Sequence, residues 1–278
     1  SLRAVLPKLG VEIKDVADWN CCGASIGHIQ GGHMPVAALS ARNLALSAEV
    51  GPEDVTTGCP ACYVNTHYVN ETIREKDGFK QDMNEALGAG GKSYDGNLHV
   101  RHICEVLVND VGMDKVKALV TKPLKGLKVA GYIGCQTLRP FARTERGGDY
   151  EDTFEQPRFL DDFIEASGAE ALDFKHRVSC CGGAVSAMSP EKTLQLMNAI
   201  LGEAKEKGAD CIATPCALCQ TNLEIYQDMV NAKYGTGYKI PVVFYSQLWA
   251  LAFGMDPTKD AAMNQLLISG EEVVKAAK

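Results

Sequence analysis

A chain of 278 residues with 46% apolar content can bury a sizeable core and suits one large domain or two of ordinary size. Its net charge of −7, with no Lys or Arg cluster interleaved with aromatics, excludes the basic footprint of a nucleic-acid binder. No apolar run reaches the roughly 20 residues of a membrane span, and Ser1 to Pro7 lack a charged leader with an apolar core, so a cytoplasmic protein is expected.

From the first residues onward, Leu2 to Cys22 reads as a helix, a turn at Gly10, a short strand and a vicinal pair, Cys21-Cys22, followed by Gly23. After 36 intervening residues comes Cys59-Pro60-Ala61-Cys62, then a helix carrying Asn65 and His67. His99-Val100-Arg101-His102-Ile103-Cys104-Glu105-Val106-Leu107 leads into Gly112-Met113. Leu127 to Cys135 reads as a strand that delivers a cysteine at its carboxyl end, with Gly134 before it. The polar segment Thr144 to Asp152 reads either as a border of a substrate entrance or as a solvated loop.

The same grammar then repeats. Phe159 to Cys181 is a helix, a turn at Gly168, a short strand and the pair Cys180-Cys181, followed by Gly182 and Gly183. Ser189-Pro190-Glu191 opens a helix with an N-cap and an N1 proline, its apolar face is Leu194, Met197, Leu201 and Ala204, and Lys205, Lys207 and Gly208 close it. Ala209 to Thr214 is a buried-strand pattern. Cys216-Ala217-Leu218-Cys219 follows the vicinal pair after 34 residues, and a helix is expected from Ala217 to about Val230. Val243 to Leu251 and Gly254-Met255 match His99 to Leu107 and Gly112-Met113.

Repetition on this scale predicts a fold of two duplicated Rossmann-like α/β domains, 1–122 and 123–278, related by a pseudo-two-fold axis, with ligands outside the carboxyl ends of the strands. The Leu127 to Cys135 strand has no counterpart in the first copy, so a cysteine-ending strand within a stretch of roughly 20 to 25 residues is expected before Ser1.

Eleven clustered cysteines in a long chain without an export signal favour metal or cluster ligation over disulfides. Metal binding needs thiolates, and the helix N-termini at Cys59, Cys62, Cys216 and Cys219 lower a thiol pKa. A lone C-x-x-C also fits zinc or a redox dithiol. Five cysteines in the second copy, Cys135, Cys180, Cys181, Cys216 and Cys219, exceed what tetrahedral zinc uses. Cys104 and Cys211 fall outside the pattern and read as small buried hydrophobes. His28 and His33 flank the first pair as possible proton donors or, like His67, His102 and His176, as structural side chains.

The doubled C-C-G and C-x-x-C pattern, together with Ala209 to Cys216 and Tyr245-Ser246-Gln247-Leu248, resembles the CCG-domain family of cysteine-rich iron–sulfur proteins, in particular the B subunits of heterodisulfide reductases. The resemblance implies two noncubane [4Fe–4S] clusters, one on Cys135, Cys180, Cys181, Cys216 and Cys219, the other on Cys21, Cys22, Cys59 and Cys62 with a fifth cysteine preceding Ser1. Through these clusters a disulfide, CoM-S-S-CoB of methanogens or a related one, would be cleaved to two thiols. It further implies a ferredoxin-like C subunit and an electron-bifurcating flavin-containing A subunit, with a hydrogenase or formate dehydrogenase module. The other function it leaves open is a non-catalytic electron relay in a quinone-linked oxidoreductase.

Overall fold

Short apolar strands that end where cysteines begin set the layout of the computed structural model, which describes residues 1–23, 32–51, 54–137, 152 and 156–277. The elements in the first part of the chain are α1 (Leu2–Val5), α2 (His33–Val50), β1 (Asp54–Thr57), α3 (Pro60–Glu75), α4 (Asp77–Gly88), β2 (His99–His102) and α5 (Met113–Ala118). They are followed by β3 (Lys128–Gly131), α6 (Phe159–Ala166), β4 (Glu170–Leu172), α7 (Pro190–Glu206), β5 (Cys211–Thr214), α8 (Ala217–Ile225), α9 (Gln227–Tyr234), β6 (Val242–Phe244) and α10 (Tyr245–Ala252). Every ladder among the described residues is parallel, as expected of an α/β chain whose strands are joined by helical crossovers.

The described residues form two compact units. The smaller is Ile13–Val106, built on the pair β1-β2 with Asp54 opposite His99 and Thr57 opposite His102. Its core lies between α2, α3 and α4: Ala41, Leu44, Tyr63, Val69, Ile73, Met83 and Leu87 interlock there. Tyr94 ties this core to the sheet, since its hydroxyl meets Asn70 Oδ1 at 2.5 Å and accepts the Leu98 amide.

The larger unit takes Ser1–Glu12 together with the chain from Leu107 onward. Its sheet has the order β4-β3-β5-β6, and β5 is buried at all four residues, as a central parallel strand should be. Beneath it Met197, Ile200, Leu201 and Ala204 of α7 meet Leu223 and Val230. A second layer is aromatic: Trp249 of α10 packs on Phe163 and Tyr245, and its indole N–H donates to the Phe163 carbonyl at 2.8 Å. The packing does not follow the expected division at 122/123: α1 and residues 107–122, expected in the first copy, pack with the larger unit. Ser1 Oγ lies 2.8 Å from Ser246 Oγ of α10.

Two local expectations meet corrections. Residues 11–16 form no strand, whereas their counterpart β4 does; β4 draws its ladder from β3, and the described first copy holds no equivalent of β3. The α7 start is as expected, with Ser189 the N-cap and Pro190 at N1; the Ser189 carbonyl accepts the Thr193 amide, while its hydroxyl makes no capping bond. The helix expected from Ala217 to about Val230 breaks at Tyr226. There the buried Gln227 side chain takes the Leu223 carbonyl that the helix would have offered to its own amide, and also grips both polar groups of Ile240. His28 and nearly all of the Thr144 to Asp152 segment lie outside the described residues.

Candidate metal centre

In the smaller unit, β1 hands over to α3 at Cys59, which is the helix N-cap in extended conformation (φ −119°, ψ 121°) with Pro60 at N1. Proline fits there because the first helical N–H has no intrahelical partner. One turn on, Cys62 meets the vicinal pair: the sulfurs of Cys21, Cys22 and Cys62 all lie within 4.8 Å of one another. The Cys62 thiol is hydrogen-bonded to Cys59, which lowers the Cys59 pKa to about 6 with help from the amides of Cys62 and Ala61. The Cys62 proton is held between Cys22 and Cys59, so its own pKa rises far above the usual thiol range. The Gly23 amide donates to Cys21 Sγ at 3.5 Å, and Asn65 Nδ2 donates to Cys22 Sγ at 3.5 Å.

What holds Cys21 in place comes from α2, across the sequence. Asn20 and Asn43 exchange two bonds, amide to Oδ1 at 3.0 Å and Nδ2 to carbonyl at 2.6 Å, while Arg42 pairs with Asp18 and donates to Asn20 Oδ1 at 2.7 Å. Motif reading missed Arg42 and Asn43, since only tertiary contact links them to the pair. His33 is the exposed first residue of α2, and His67 stacks on Tyr63 at 5.4 Å. His102 is fully buried with its edge against Tyr63; its Nδ1 accepts the Cys104 amide at 3.2 Å, and burial lowers its pKa to about 3.

The larger unit repeats the helix start almost to the degree: Cys216 is the N-cap of α8 (φ −118°, ψ 115°), and its sulfur accepts the Cys219 amide at 3.4 Å. The vicinal pair repeats as well, with the Gly182 amide donating to Cys180 Sγ at 3.3 Å. Here all five sequence-selected thiols are brought into two linked groups. The Cys135 thiol is hydrogen-bonded to Cys180 and lowers it to about 6, while Cys135 itself is raised. The Cys219 proton is shared toward Cys181 and Cys216, so Cys181 is lowered and Cys219 raised. Tyr132 forms the buried floor; burial and the neighbouring Cys219, Cys181, Cys135 and Cys180 all raise its pKa, and its hydroxyl donates to the Ser179 carbonyl at 2.5 Å.

Cys135 is aimed by the turn before it. The amides of Ile133 and Gly134 both donate to the Arg177 carbonyl, at 2.8 and 2.9 Å, and the Arg177 guanidinium is itself fixed by a buried 2.6 Å pair with Asp161. Gly134 has φ +79°, and a Cβ there would sit 3.1 Å from Cys219 Sγ, so glycine keeps this face open for the sulfurs. Cys104 and Cys211 are fully buried, and burial pushes the Cys211 thiol up.

Thiols that share protons with one another are placed as a soft-metal donor set: deprotonated together, they would repel, and a metal cation replaces the shared protons. The donor chemistry in both units fits an iron–sulfur group, with sulfur ligands and amide donors to sulfur in each and, in the larger, Gly134 and Gly183 close against the sulfurs.

The chain belongs to the cysteine-rich CCG domain family, whose pattern matches residues 1–66 and 129–224 and so takes in both cysteine sets. Within that family it is similar to heterodisulfide reductase B subunits. It is 34% identical over 257 residues to the B subunit of the ferredoxin/F420H2-dependent CoB-CoM heterodisulfide reductase of Methanosarcina acetivorans, covering 92% of this chain and 83% of that one. It is also 32% identical over 276 residues to the 8-methylmenaquinol:fumarate reductase membrane anchor subunit of Wolinella succinogenes, covering 98% and 92%. The crystal structure of a hypothetical protein from Helicobacter pylori shares the fold, with a TM-score of 0.69 at 15% identity, over 97% of this chain and 49% of the other. Among the described residues no helix is long and apolar enough to cross a membrane.

Proposed function

We propose that this chain is the catalytic subunit of a heterodisulfide reductase, cleaving a disulfide to two thiols between two noncubane [4Fe–4S] clusters. Cys135, Cys180, Cys181, Cys216 and Cys219 hold one cluster, and Cys21, Cys22, Cys59 and Cys62 hold the other. The two copies, 1–122 and 123–278, stand as Rossmann-like duplicates about a pseudo-two-fold axis. The observation that carries the reading is the doubling of one thiol arrangement: a cysteine N-cap in matching conformation, its C-x-x-C partner, and a vicinal pair whose following glycine amide donates to the first sulfur.

The net reaction takes two electrons and two protons per disulfide and leaves two thiols, so a pair of equivalent sites suits it better than one. When bound, the clusters would supply the two electrons that the disulfide takes up. The chain's own residues do the rest. Backbone amide N–H groups favour negative sulfur at Cys59, Cys180 and Cys181. Buried Tyr132 excludes water from one site, and the Arg177 carbonyl and the Asn20–Asn43 pair fix where Cys135 and Cys21 stand. Electrons reach such a protein from a ferredoxin-like C subunit and a flavin-containing A subunit, with a hydrogenase or formate dehydrogenase module attached, in the cytoplasm.

A second reading is favoured by the Wolinella relative, whose name places it in a quinol-linked reductase: an electron relay without disulfide chemistry. Anaerobic electron paramagnetic resonance separates the two. A paramagnetic signal that develops only when excess substrate thiol is added to the oxidised protein supports disulfide cleavage, and a signal indifferent to thiol supports the relay.

A further inference from the structure

The first asparagine after each C-x-x-C falls at the same place, three residues beyond the second cysteine: Asn65 after Cys62 and Asn222 after Cys219. On a helix this spacing puts the amide one turn on, above the same face as the cysteine. In both units it then reaches across to the other half of the ligand set. Asn65 Nδ2 donates to Cys22 Sγ at 3.5 Å, and Asn222 Nδ2 donates to the Cys181 carbonyl at 2.7 Å. Cys22 and Cys181 are the second members of the two vicinal pairs, and both are buried. Asn222 is buried too, so its amide has no water to turn to.

We infer that Asn65 is a positioning residue that sets the reduction potential of the smaller unit's site by presenting a side-chain N–H to the Cys22 sulfur, while Asn222, at the matching place in the larger unit, braces the backbone of Cys181. The argument is electrostatic. Adding an electron to an iron–sulfur group makes its ligand sulfurs more electron-rich, and an N–H aimed at such a sulfur stabilises that state more than the oxidised one. The hydrogen bond therefore raises the potential and eases acceptance of an electron from the donor. The Asn222 bond to the Cys181 carbonyl braces the turn without touching the potential, so the two roles can be told apart.

The inference rests on the reading that Cys22 and Cys181 are iron ligands, and the test separates the two. Asn65→Leu and Asn222→Leu keep the side-chain volume and remove the donor. Each is purified anaerobically, assayed for iron and acid-labile sulfide, and titrated with dithionite while the paramagnetic signals are followed. Expected is wild-type iron content in Asn65→Leu and a shift of one signal to lower potential, with the reduced-to-oxidised ratio at fixed potential about tenfold smaller, which is about 59 mV for a one-electron couple. Asn222→Leu, which removes only a bond to a carbonyl, should leave the other signal at its wild-type potential. Should the buried Asn222 variant fail to fold, the half-buried Asn65 site still decides the matter. An unmoved potential in Asn65→Leu at full iron content would overturn the inference while leaving the cluster assignment intact, and so would iron loss from a folded Asn65→Leu, which would make the amide a brace. A wild-type chain that takes up no iron would sink the cluster assignment itself, and this inference with it.

Discussion

Cys181, Cys216 and Cys219 of the larger unit are 4%, 8% and 6% exposed, on a four-stranded sheet that delivers a fifth thiol through β3. In the smaller unit Cys22 is buried but Cys59 and Cys62 are half-buried, Cys21 is exposed as Cys135 is in the larger, and two strands stand behind them among the described residues. The helix starts are the same and the surroundings are not. A C-x-x-C on a helix N-terminus thus sets local thiol geometry without the rest of the sheet, whereas burial of the set depends on how many strands and loops close over it. The larger site is the better supported by its fold, although the group of three sulfurs within 4.8 Å of one another among the described residues is in the smaller unit, which should lean more on its bound group to hold that order.

The sharpest break of the comparison is deletion of a ligand. Cys181→Ala should remove one cluster's share of iron and acid-labile sulfide and abolish disulfide reduction, whereas Cys211→Ala should keep both, because Cys211 is buried at the head of β5 outside either thiol set. Equal iron loss in the two variants would defeat the assignment. Next in size is metal removal. Chelation should cost amide-exchange protection across α2 and α3 of the smaller unit well before β3 and β5 of the larger, and equal loss in both would mean that sheet size does not govern how preformed a site is.

The units should also part company in acid. His102 corresponds by the repeat to Ser246, so only the smaller unit buries an imidazole there. Its folded pKa of about 3 lies below the unfolded value near 6.5, so between those limits the unfolded chain binds the extra proton. Stability is therefore complete above about pH 6.5 and is lost as pH falls, by at most about 1.4 kcal/mol per pH unit. Denaturant midpoints of the smaller unit between pH 7 and 5 should fall accordingly and flatten in His102→Ser. An unchanged slope in that variant would assign the acid sensitivity elsewhere.

Much of this was legible in the chain and some was not, for physical reasons. The α7 start at Pro190 and the buried β5 follow from patterns within a few residues, and the structure has them; of the cysteines picked out by motif, Cys21, Cys22 and Cys62 come within 4.8 Å of one another. The clamps are nonlocal. Asn43 finds Asn20, Arg177 holds the turn before Cys135, and Gln227 reaches Ile240 to break a helix, each through a contact that no local pattern encodes. The missing strand at residues 11–16 teaches the same thing, since a strand needs a partner as well as a pattern.

The smallest predicted effect isolates one of those clamps. The Tyr132 hydroxyl is the direct link from the β3 end to the Cys180-Cys181 turn, through the Ser179 carbonyl, and the smaller unit performs the corresponding task with the Asn20–Asn43 pair instead. Tyr132→Phe keeps the ring that floors the site and removes only the donor, leaving a carbonyl short of one partner. The cost should be about 1–2 kcal/mol of unfolding free energy, the range for a hydrogen bond whose acceptor is stranded. Iron content should stay at the wild-type level, because Arg177 still holds Cys135 and the Gly182 amide still donates to Cys180. Denaturant unfolding with an iron assay on the same sample reads both quantities. A variant with full stability but lost iron would show that the tyrosine acts on the ligands and not on the turn, and the two units would then differ in how they hold metal as well as in how they hold shape.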